Sequence, residues 1–191
     1  GQHLDAVSEA LGRLVDEHGL ERIVIAGSPE TASAFQRALP STVAARVAGV
    51  VPAARHEAAG ELANRAVGLI ERVAARETER SVDAILTEAA KSGRAAASLE
   101  GVLEAVRRGA VDRLYLLRGF RQGGRACAGC GALQPGDAAA CRQCHQTTSA
   151  VELGEEMVTR TIAAGGAVTI VDAHPGLGVI GGVAARLRFA P

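Results

Sequence analysis

The sequence predicts an α/β protein built as two α/β domains. Short, nearly continuous apolar runs such as "RIVIAG" (22–27) and "AVTIV" (167–171) read as strands covered on both faces. Segments with apolar residues three and four apart alternate with them, as amphipathic helices do. The alternation restarts near "KSGRAAAS", which sets domains at 1–93 and 94–191. A chain of 191 residues has room for two domains of about 100 each.

Leu4, Val7, Leu11, Leu14 and Val15 fall on one face of a first helix that Gly19 stops. The "RIVIAG" strand follows. Ser28 then caps, and Pro29 opens, a helix over "PETASAFQRAL" that breaks at Pro40. "ARVAGVV" (45–51) is the next strand. From His56 to about Lys91 the pattern is helical, with Leu62, Ala66, Leu69, Ile70 and Val73 on one side. A second set, Val82, Ile85, Leu86 and Ala89, predicts a bend or a second helix near Glu79. In the second domain Ser98 caps a helix carrying Leu99, Val102, Leu103 and Val106, ended by Gly109. "VDRLYLL" (111–117) is a strand, and a cysteine-bearing insertion is expected at about 119–150. A helix from about Glu152 to Ala164, the "AVTIV" strand, a Gly-rich loop and a last strand "GVAARLRF" (182–189) complete a compact three-layer domain.

Apolar residues make up 48% of the chain but aromatic ones only 2%, so Ala, Val and Leu must fill the cores. The formal net charge is zero, which excludes a global basic field for indiscriminate nucleic-acid binding. No apolar run approaches the ~18 residues of a membrane span, and no signal peptide is visible, so the protein is expected in the cytoplasm, away from membranes.

All four cysteines lie in "CAGCGALQPGDAAACRQC", as Cys127, Cys130, Cys141 and Cys144. Each C-x2-C pair lets two thiolates converge on one ion, and four sulfurs satisfy the tetrahedral preference of Zn2+. Gly131 follows the first pair, where a knuckle turns through positive φ, while His145 takes that place after the second. The ten residues between the pairs are fewer than the usual ~15–20, giving a short ribbon. Disulfides require an oxidising compartment, and a redox pair requires one C-x-x-C opening a helix, so a structural zinc site is the preferred reading. With four protein ligands such a site has no open position for catalysis. His145 is expected beside the site or exposed.

Other motifs carry less. "GLGVIG" (176–181) matches G-x-G-x-x-G, but no helix, further strand and acidic residue follow it, so a loop is expected. "AGSPETAS" lacks the P-loop lysine and reads as a capped turn. His174 and Asp172 are expected as an exposed loop pair. No catalytic residues are visible, and no small-molecule substrate is expected.

Three stretches together resemble the archaeal and eukaryotic class-I peptide chain release factors, their Pelota-type rescue relatives and bacterial homologues of both. "LEGVLEAVRRGAVDRLYLL" (99–117) looks like the start of that family's C-terminal domain. "GGAVTIVDAHPGLGVIGGVAARLRF" (165–189) is similar to its end, and "HLDAVSEAL" with "RIVIAGSPETASAF" (3–35) resembles the start of the middle domain. Some archaeal members also carry a paired-cysteine zinc insertion at the corresponding place. The resemblance implies a ribonuclease-H-like middle domain and a C-terminal domain of the kink-turn-binding ribosomal-protein type. It also implies action at the ribosomal A site in termination, rescue or dormancy, with contacts to ribosomal RNA and a translational GTPase. The family's decoding domain and Gly-Gly-Gln loop are not found in the sequence, and Gly1-Gln2 is not that loop. Two rival readings are a peptidyl-tRNA hydrolase whose catalytic segment lies upstream, which leaves open whether the protein is an enzyme, and a free-standing RNA-binding protein. Arg107, Arg108, Arg121 and Arg125 are the candidate RNA contacts.

Overall fold

The computed structural model describes residues 2–54, 56–91 and 93–189, with side chains from residue 6 onward. The side chains of His3 and Leu4 therefore lie outside the described residues. The chain forms two compact units, Gly1–Glu77 and Thr78–Pro191.

In the first unit, α1 (Gln2–His18), β1 (Ile23–Ala26), α2 (Pro29–Ala38), a short α3 (Ser41–Ala44) and β2 (Val47–Val51) lead into α4 (Ala59–Ala90). β1 and β2 pair in parallel. The expected cap is present: Ser28 Oγ accepts the Thr31 N–H at 3.3 Å, and Pro29 sits where a free N–H would go unpaired anyway. Val15, Ile25, Ala32, Leu39 and Val43 form the core, with Leu11 and Phe35 against it. The predicted face of α1 is only partly buried. Val7 and Leu14 remain exposed, whereas Ser8 turns inward and donates to the Ala38 carbonyl at 3.2 Å.

α4 is one continuous helix of 32 residues, with no break at Glu79. Residues 69–90 contain no Gly or Pro, so nothing in the backbone stops it. Its later apolar set belongs to the second unit. Val82 and Ile85 are buried with Ala95, Tyr115, Val171, Leu177 and Ala184, which is why the division falls after Glu77 and not at 93.

The second unit adds β3 (Ala95–Ala96), α5 (Leu99–Arg107), β4 (Val111–Leu117), β5 (Gly123–Cys127), β6 (Leu133–Pro135), β7 (Thr148–Glu152), α6 (Leu153–Ala163), β8 (Ala167–Val171), α7 (Pro175–Val179) and β9 (Val183–Leu187). The main sheet runs β3-β9-β4-β8, with β4 parallel to β8 and antiparallel to β9. One face packs on α5 and α6 through Val102, Leu103, Leu114, Met157 and Val183, and the other on α4 and α7. Two faces covered by helices give the expected three layers.

Two details differ from expectation at α7, where the glycine-rich segment is a short helix. His174, whose successor Pro175 opens that helix, is buried and caps it: its Nδ1 accepts the Leu177 N–H at 3.2 Å, and its Nε2 lies 3.3 Å from Asp83. Asp172 pairs instead with Arg118.

The cysteine segment forms its own antiparallel sheet, β6-β5-β7. It is not a detachable insertion. Ala126 and Leu133 belong to the same buried cluster as Leu103, Leu153 and Met157, and Arg160 of α6 donates to the Gly131 carbonyl. Gly124 is required by this approach, since a Cβ there would sit 2.6 Å from the Gln134 carbonyl and 2.7 Å from the Leu153 methyls. Replacing 122–147 by a short Gly/Ser linker uncovers this part of the core, a loss on the scale of large core truncations, about 3–5 kcal/mol. We expect that variant to lose its cooperative thermal transition or melt far below the parent by far-UV circular dichroism; an unchanged melt would show the ribbon to be dispensable.

Candidate metal centre

Two matching turns bring the sulfurs together. After Cys127 the chain folds back so that the Gly131 N–H reaches the Cys127 carbonyl at 3.0 Å; after Cys141 the His145 N–H reaches the Cys141 carbonyl at the same distance. Gly131 takes φ 72° and His145 φ 61°, so both turns pass through the left-handed region. That region is open to glycine and costs a residue with a Cβ roughly 1 kcal/mol or more. His145 is exposed and lies outside the sulfur cluster.

The Sγ atoms of Cys127, Cys130, Cys141 and Cys144 all lie within 4.8 Å of one another. Cys127–Cys144 and Cys130–Cys141 are each 3.5 Å apart, and none of the four is in a disulfide. Four thiolates at about 2.3 Å around a tetrahedral ion stand about 3.8 Å apart, so the donor set fits Zn2+. Cys127 and Cys141 are buried, while Cys130 and Cys144 are half-buried.

Backbone amides are aimed at the sulfurs. Those of Cys144 and Gln143 bring the Cys141 thiol down to about 6. The Cys130 amide, with smaller help from Cys144 and Gly129, lowers Cys127. Cys144 goes the other way: although the Gln146 amide pulls it down, the neighbouring sulfurs of Cys127 and Cys130 push it up to about 12. Four adjacent thiols do not all ionise side by side without a cation, and a bound divalent ion would supply that charge.

The residues that hold the two knuckles in register carry no signal in the sequence. Gln134 is 5% exposed, and its amide bridges the intervening loop. Nε2 donates to the Ala138 and Ala140 carbonyls at 3.3 and 3.1 Å, and Oε1 accepts the Arg142 N–H at 2.9 Å. Arg125 spans from β5 to Thr148, donating to its Oγ1 at 3.0 Å and its carbonyl at 2.7 Å. Of the four candidate arginines, Arg125 is thus committed within the ribbon, and Arg107 is paired with Glu104 at 2.6 Å. Arg108 lies over the Phe189 ring at 5.7 Å, and Arg121 is exposed on the loop before β5.

The chain is therefore a pair of α/β units, the second bearing a four-cysteine ribbon. Residues 1–76 match the family model of the bacterial archaeo-eukaryotic release factor family 10. No curated protein matches the chain. Among solved structures, the model of ribosome-bound archaeal Pelota and ABCE1 is similar over 99% of this chain and 49% of that one, at 20% identity and a TM-score of 0.61. Dom34 of S. cerevisiae, described as a translation termination-like factor involved in RNA quality control pathways and interacting with Hbs1, is similar over 98% of this chain and 52% of that one, at 12% identity and a TM-score of 0.59. The C-terminal domain of a peptide chain release factor from Methanosarcina mazei is similar over 72% of this chain and 99% of that one, at 22% identity and a TM-score of 0.50. The chain spans about half the length of the Pelota and Dom34 chains. The fold is that of the release-factor and Pelota group which the sequence resembles.

Because the left-handed geometry at residue 145 is fixed by the knuckle, His145→Gly should stabilise the protein by about 0.5–1 kcal/mol and Gly131→Ala destabilise it by a similar amount. Urea unfolding midpoints of the two variants check this, and equal shifts of one sign would contradict it.

Proposed function

We propose that this chain is a translation-factor homologue that works on the ribosome, at the A site, in termination, rescue or dormancy. The observation that carries the reading is the agreement of two independent likenesses: the family match over residues 1–76 and the Pelota-like and Dom34-like fold over nearly the whole chain. A cytoplasmic location goes with this reading, and no helix among the described residues is long and apolar enough to cross a membrane. The second unit is the expected docking point for a translational GTPase; Dom34, which shares its fold, is described as interacting with Hbs1.

In this reading Cys127, Cys130, Cys141 and Cys144 hold one structural Zn2+. The spacing of the sulfurs and the amides turned toward them support that assignment. The ion's contribution is cohesion: it closes the ribbon whose strands cover Leu153 and Met157. Contacts to ribosomal RNA rest on local arginines, since the chain carries no net charge. Arg108 and Arg121 are the better placed of the four, since neither is held in a close ion pair among the described residues, although each lies near enough to a carboxylate, Glu104 and Glu152 respectively, to lower its pKa.

Phosphate contacts release counterions, so such binding weakens steeply with salt. We expect the chain to co-sediment with bacterial ribosomes at low salt and to dissociate across a salt series. An Arg108→Ala/Arg121→Ala variant should sediment less and show a shallower salt slope. Failure of the parent chain to sediment even at low salt would remove the ribosomal reading.

A further inference from the structure

The second unit holds a cleft of about 670 Å3 between the later turns of α4 and the β3-β9-β4 end of the main sheet. The sheet face beneath α4 changes character along its length. Tyr115 stands opposite Ala184 in the apolar part; two residues along each strand, Arg113 stands opposite Arg186, and Arg186 is also the partner of Ala95 on β3. The cleft opens at this basic end, where Arg94, Arg186 and Arg188 line it together with Glu88 and Asp112.

These charges are unequally committed. Asp112 Oδ2 takes the Nε and Nη2 of Arg186, both at 2.6 Å, and leaves Nη1 without a partner among the described residues. Arg188 gives its guanidinium to the Gly109 and Ala164 carbonyls. Glu88 turns back to accept the backbone N–H of Arg94 at 3.3 Å, while the Arg94 guanidinium pairs with nothing among the described residues. Tyr115 is the sharper observation. The residue is 3% exposed and lines the cleft, yet its hydroxyl meets no hydrogen-bond partner among the described residues. A buried hydroxyl is normally paired, and this one, beside the free Arg94 guanidinium and the spare Nη1 of Arg186, completes a donor set without its acceptor.

We infer that this cleft binds the phosphate of a nucleotide, with Arg94 and Arg186 as charged donors and the Tyr115 hydroxyl as a buried third. Guanidinium forks suit phosphate oxygens, and a charged acceptor makes each bond stronger than a neutral one. A bare phosphate leaves most of the volume empty. Ala84 and Ile85 of α4 give the remainder an apolar wall against which a nucleoside packs, and the volume is that of a small-molecule site. The same chemistry is met in a free nucleotide and in one unit of an RNA strand.

Calorimetric titration of the intact chain with AMP, adenosine, inorganic phosphate and a five-residue oligoadenylate tests this. AMP should bind at least about tenfold more tightly than adenosine or inorganic phosphate. Tyr115→Phe, which removes only the hydroxyl, and Arg94→Ala, at an exposed position, should each weaken AMP about tenfold with little change in melting temperature. Oligoadenylate binding tighter than AMP identifies an RNA strand as the source, and equal binding a free nucleotide; both support the site. AMP binding no tighter than adenosine overturns it, as does wild-type affinity in Arg94→Ala, which decides the matter even where Tyr115→Phe folds poorly. A chain that sediments with ribosomes but ignores every probe overturns the cleft alone.

Discussion

Leu153 marks the point on which the second unit depends. It is fully buried at the first turn of α6, immediately after the last ribbon strand, and it packs into the cluster that also holds Ala126 and Leu133 of the ribbon and Leu103 of α5. Gly124 passes so close to its methyls that no Cβ fits between them. The ribbon therefore serves as part of the wall of an aromatic-poor core. With only 2% aromatic residues in the chain, short side chains must be brought close to fill space, and close approach demands that the ribbon strands hold their positions. In the proposed reading, a metal ion bound by the sulfur cluster at their far end holds them.

Much of this was legible in the sequence because local signals agreed with the final packing. Ser28-Pro29 and Ser98 are caps as read, and "VDRLYLL" is β4 to the residue. The C-x2-C pairs announced the sulfur cluster, and the glycine after the first pair announced its turn. Elements that depend on distant partners were harder to see. Two-residue β3 exists through its pairing with β9, and α3 is a single turn between Pro40 and β2. The unbroken α4 hid its change of unit, because the same helical period runs on past Glu77. His174 looked like a loop residue because its burial comes from α4, some ninety positions upstream. Gln134, the side chain that ties the knuckles together, follows no spacing rule at all.

The two parts of the second unit contribute differently to the proposed function. The ribbon is closed chemistry: four sulfurs, amides turned inward, and no vacant coordination position once a tetrahedral ion is bound. Under the proposed function it would stabilise and present α5 and the loop before β5, where Arg108 and Arg121 are exposed. The cleft beneath α4 lies on the opposite face of the main sheet and is open chemistry, with donors that lack acceptors. The proposed metal site on one side and the proposed ligand site on the other require no communication between them.

In the proposed reading the four cysteines hold one metal ion, and the ribbon's packing depends on it. Metal analysis and thermal unfolding of the purified chain beside a Cys127→Ser/Cys141→Ser variant tests it in one comparison. The parent should carry about one zinc per chain and the variant none, with a markedly lower or broadened unfolding transition in the variant. Stoichiometric zinc retained by the double variant, or a metal-free variant that unfolds just as the parent does, would contradict it.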